Sequence, residues 1–114
     1  MNDMISKIAG ELADELRNSE CCKKFRHYKE IIENDPLMLN RIKEFKKEQL
    51  DFQYRIMQNL QPSFEEEKYV SNLYTQLSLN ENARNYLESE KAVLELFNEV
   101  FGAIGAACEV DLEF

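Results

Sequence analysis

Three cysteines and one histidine are the residues here best suited to hold a metal or relay a proton: Cys21, Cys22, Cys108 and His27. On a helix Cys21 points with Phe25, Tyr28 and Ile32 into one apolar stripe, and Cys22 lies about 100° round. His27 is about 120° or more from either, so the three do not converge on one ion. Tetrahedral zinc takes four ligands, usually in close cysteine pairs, and that spacing is absent. Cys21 therefore reads as a buried structural residue and Cys22 as a surface thiol open to oxidation.

Carboxylates give no better centre. A di-iron bundle needs Glu-x-x-His pairs on facing helices. The chain has one histidine, in the reverse order His27-x-x-Glu30. Glu11 with Glu15 and Glu95 with Glu99 stand four apart on helices, the spacing of a solvated face. His27 has no partner for nucleophilic catalysis, and it is expected to be exposed or interfacial. No glycine-rich phosphate loop occurs. No catalytic, metal-binding or cofactor-binding residue is expected.

The elements that would position such groups are helices. The chain has 114 residues, 32% charged and 44% hydrophobic, with only 3 glycines and 2 prolines, a globular composition with too few turn formers for an all-β fold. The first helix spans about Asp3 to Arg17, with Ile5, Ile8, Ala9, Leu12, Ala13 and Leu16 on one face. Ser19 caps the second, which stops at Asn34 before Asp35-Pro36. Asp35 caps the third, with Pro36 at its first position.

That third helix, from Pro36 to about Leu60, is expected to be the longest. Met38, Ile42, Phe45, Gln49, Phe52 and Ile56 step along it by four and three, a coiled-coil-like seam with one polar member. A rod of this length, about 37 Å, matches the diameter of roughly 34 Å of a compact monomer of this size. Either the bundle is elongated or one end of the rod packs on another subunit. The seam is accordingly either core or an association face, and it is the candidate association face of the chain.

Gln61-Pro62 breaks the rod. Ser63 and Glu66 then form a capping box, and the fourth helix runs to about Leu79 with Val70, Leu73 and Leu77 inward. Asn80 caps the fifth helix, about seven turns to Ala107. Its apolar face holds Tyr86, Leu87, Val93, Leu94, Phe97, Val100, Phe101 and Ile104. The small residues Gly102, Ala103, Gly105, Ala106 and Ala107 either admit another helix closely or let the helix end loosely. The fold expected is an elongated antiparallel all-α bundle of about five helices with one long central helix. Residues 1–108 form a single domain, followed by a frayed acidic tail over 109–114.

Charge and hydropathy narrow the partners. A net charge of −8 and a pI near 4.7 oppose direct binding to phosphate backbones, which draws on clustered Lys and Arg. The N-terminal stretch lacks the apolar core of a signal peptide. The longest apolar run, Val100 to Cys108, is about half a membrane span. A cytoplasmic protein is expected, in a compartment that keeps odd cysteines reduced.

The order of signals resembles the YlbF/YmcA family of small bacterial regulators. It comprises Ser19-Glu20, Phe25, Lys29, Asp35, Phe45 and Gln49, then Leu77, Leu79-Asn80 and Tyr86-Leu87. Ser89-Glu90 follows, where the family usually has Ala-Glu, then Leu94, Glu99-Val100 and Ile104-Gly105. The resemblance covers about residues 5 to 107. It implies long antiparallel helices, common self-association and no enzymatic activity. It also implies complexes among relatives that influence competence, biofilm formation, sporulation and messenger-RNA maturation, with iron–sulfur clusters on C-terminal cysteines. This chain departs there, with the single late Cys108. The expected function is a non-catalytic regulatory adaptor that pairs with itself, as a homodimer or higher oligomer, or with related proteins. The alternative is a holdase-like bundle that binds a peptide or small molecule.

Overall fold

A computed structural model describes residues 3–110. Among them stand five helices and no strand: α1 (Asp3–Arg17), α2 (Glu20–Glu33), α3 (Pro36–Met57), α4 (Phe64–Ser78) and α5 (Glu81–Cys108). The fold is all-α, as the helical periodicities and scarce turn residues require. Of the acidic tail expected over 109–114, residues 111–114 lie outside the described residues.

Side chains that hydrogen-bond locally set the helix starts. Ser19 Oγ accepts from the Cys22 N–H at 3.4 Å, Asp35 Oδ1 from Met38 at 3.2 Å, Ser63 Oγ from Glu66 at 3.1 Å and Asn80 Oδ1 from Ala83 at 2.9 Å. Each satisfies an amide that has no partner inside its helix. The capping box at Ser63 is only half made, because the Glu66 carboxylate pairs with Arg55 of α3 instead of reaching back.

α3 ends three residues short of Leu60 and is not the longest helix; α5 has 28 residues against its 22. Its end is set before the proline. Asn59 takes the left-handed conformation, φ 60°, and the Leu60 N–H returns to the Arg55 carbonyl at 2.9 Å while Asn59 returns to Ile56. This paired closure consumes carbonyls that α3 leaves open. α5 closes in the same way, with Glu109 at φ 56° and Val110 bonded back to Gly105.

The chain falls into two compact units. One is Lys29–Tyr86 and centres on α3 and α4. Arg55 pairs with Glu66 near the start of α4, whereas Glu44 and Phe45, ten or more residues earlier on α3, meet Tyr69 and Tyr74 further along it, so the helices are antiparallel. Ile32, Met38, Ile42, Phe45, Leu77 and Ala83 are its buried residues. Arg84 donates to the Ser78 carbonyl at 2.9 Å, a cation placed at the negative end of α4.

The other unit holds the chain up to Tyr28 and from Leu87 on. Its buried residues are Cys22, Val93 and Ser89, with Gly105 also buried. Phe97 and Phe101 meet edge to face, ring centroids 6.5 Å apart. α1 has no buried residue; its expected apolar face divides, with Ala13 and Leu16 lining a groove beside Cys22 and Phe25, and Ile8 and Leu12 exposed. A methyl added at Gly102 meets nothing within 4 Å, so no neighbouring helix approaches closely at that glycine.

Candidate association surface

The groups with latent chemistry stay apart. Cys22 is the buried thiol, Cys21 is half-buried and Cys108 is exposed, which reverses the expectation for the adjacent pair. Cys21 Sγ lies 3.6 Å from the Ser19 hydroxyl, whereas Cys22 lines the apolar groove with Phe25, Val93 and Phe97. His27 is exposed, edge-on to Tyr28 at 5.0 Å between centroids. Among the described residues no group of three His, Cys, Asp or Glu could hold a metal. The Tyr69 hydroxyl donates to Glu44 Oε1 at 3.2 Å. That bond, chiefly, raises the phenol's pKa above its usual value near 10.

The α3 seam splits into two parts. Met38, Ile42 and Phe45 are buried in their own unit and serve as core. Phe52 is half-buried, and Gln49 and Ile56 are exposed. The inner half lies against α4, and beside it Lys46 donates to the Tyr86 hydroxyl of α5 at 3.3 Å. Toward the hairpin tip the seam opens.

A second apolar register runs along the same helix. Leu50, Tyr54 and Met57 are 67%, 59% and 81% exposed, and at the tip Leu60 and Phe64 are exposed as well. Leu50 and Met57 each follow a seam position by one residue, so about 100° of rotation separates the stripes there, and Tyr54 stands between Phe52 and Ile56. The step of four then three was present in the sequence, masked by the stronger seam beside it. Eight apolar side chains of the described residues are buried, while seventeen large ones are exposed. Contiguous apolar exposure of this kind is uncommon on a lone globular domain.

Residues 5–108 match the sequence pattern of the family described as "Control of competence regulator ComK, YlbF/YmcA". The chain belongs to the YlbF/YmcA family. It is similar to a UPF0342 protein of Symbiobacterium thermophilum, 31% identical over 93% of this chain and 95% of the relative. A UPF0342 protein of Caldicellulosiruptor saccharolyticus is 30% identical over 90% and 86%, and one of Desulfitobacterium hafniense 31% over 90% and 83%. No solved structure matches the chain significantly.

The description of the YlbF/YmcA family is regulatory and names no reaction; control of a regulator is exercised on other proteins. Several residues that carried the resemblance are structural: Ser19, Asp35 and Asn80 are helix caps, and Phe45 and Leu77 are core. Among the described residues of this YlbF/YmcA-family chain, no helix is long and apolar enough to cross a membrane.

Proposed function

We propose that this chain is a non-catalytic regulatory adaptor that works by helix-to-helix association, with a second copy of itself or with a related family protein. The observation that carries the reading is the open distal half of α3. Ile56 of the seam and the outer stripe Leu50, Tyr54 and Met57 present apolar side chains to solvent, with the polar Gln49 exposed beside them. The inner residues Met38, Ile42 and Phe45 hold that surface in place. The adaptor acts in the cytoplasm, where three free thiols stay reduced. Its finer role is within a complex of relatives that influences messenger-RNA processing and development, without touching nucleic acid itself.

Light scattering on the purified protein tests the association: a dimer or larger species at tens of micromolar is expected, and a strict monomer would overturn it. Pull-down from the native host tests the complex, with family relatives as the expected co-purifying proteins. A second reading, a peptide-binding bundle, draws on the groove of about 360 Å³ lined by Leu16, Cys22, Phe25, Val93 and Phe97. Strong binding of an apolar dye by a native monomer would favour it instead.

A further inference from the structure

On α3 the core side chains Met38, Ile42 and Phe45 leave one side of the helix, and Leu50, Tyr54 and Met57 lie about 120° round from them. Continued toward the N-terminus, the outer stripe reads Lys43 and Lys47, both exposed. It is thus basic at one end, apolar at the other, and stepped four, three, four, three. α1 carries an exposed stripe of the opposite character. Ile5, Ile8 and Leu12 begin it, Ile8 being 55% exposed, and the exposed Glu15 follows, at steps of three, four and three.

Laid antiparallel, the two stripes match layer by layer. Ile8 falls opposite Tyr54, Leu12 opposite Leu50 and Glu15 opposite Lys47, with Ile5 continuing toward Met57. Each step of three or four on one helix meets the same step on the other, the register of a two-helix seam. The parallel register with the same steps sets Ile5 on Lys47 and Glu15 on Met57, so the antiparallel direction alone pairs apolar with apolar and acid with base at every layer.

We propose that α1 of one copy covers the outer stripe of α3 of a second copy, antiparallel, with Glu15 facing Lys47. This rests on the self-association proposed above and names the faces that meet. Each copy carries both stripes, so a closed two-fold pair makes the contact twice, residue for residue.

Charge reversal tests it without disturbing either core, since both positions are exposed. Glu15→Lys alone and Lys47→Glu alone are each expected to weaken dimerisation by about tenfold, because two like-charge contacts replace two attractive ones per dimer. Mixing the two variants one to one restores near wild-type association: position 15 of each chain again faces an opposite charge at position 47 of the other. The readout is sedimentation of each variant, of the mixture and of wild type across a concentration series. Single variants that dimerise like wild type, or a mixture no tighter than its components, overturn the α1–α3 pairing while leaving self-association intact. A monomeric wild type overturns both.

Discussion

The adjacent cysteines show how far a single residue can be read. Periodicity placed Cys21 in the stripe of Phe25, Tyr28 and Ile32, yet a stripe more than 100° wide admits either neighbour. The groove residues Val93 and Phe97, remote in sequence, decide for Cys22. A thiol reagent on the native protein is therefore expected to modify Cys108 first, then Cys21, and to reach Cys22 only on unfolding; equal rates at all three would contradict the assignment. Tyr69 gives a second prediction at this scale. Its bond to Glu44 favours the protonated phenol in the folded state, so that contribution is complete below pH 10 and is lost as pH rises through the elevated native value. The difference in phenolate absorbance between wild type and Tyr69→Phe locates that titration, and Glu44→Gln is expected to bring it back down.

Helix boundaries were legible wherever a local side chain sets them. Ser19, Asp35, Ser63 and Asn80 each bond an amide three residues ahead, an interaction complete within four residues of sequence. The end of α3 was less legible because Pro62 is the louder signal, while the actual stop is an asparagine in the left-handed region. Asparagine tolerates that conformation better than other residues bearing a Cβ. Asn59→Gly is thus expected to keep or slightly raise stability, and Asn59→Ala to lower it by about 1 kcal/mol, read as shifts in the urea midpoint. Asp35→Ala, which removes a cap, is expected to cost about 1 kcal/mol by the same assay. The core half of the seam was visible as spacing, but the assignment of core against open surface was not. Coverage depends on which side of the rod α4 takes, and no periodicity within α3 records that.

At the level of the whole molecule, two compact units share two helices, since α2 and α5 each continue from one into the other. We propose that residues 1–108 behave as one cooperative domain. Calorimetric and van't Hoff enthalpies should then agree, and Ile32→Ala, at a site only 2% exposed, should lower the single transition by roughly 2–5 kcal/mol. Two resolved transitions would argue for independent units. Met57, at the open end of α3, adds a chemical vulnerability to the surface proposed for association. Its thioether stands in water, and peroxide converts such a sulfur to a polar sulfoxide. Oxidant stress would then reach this regulator at the patch by which copies find each other, silencing it by one oxygen atom that methionine sulfoxide reductases can remove.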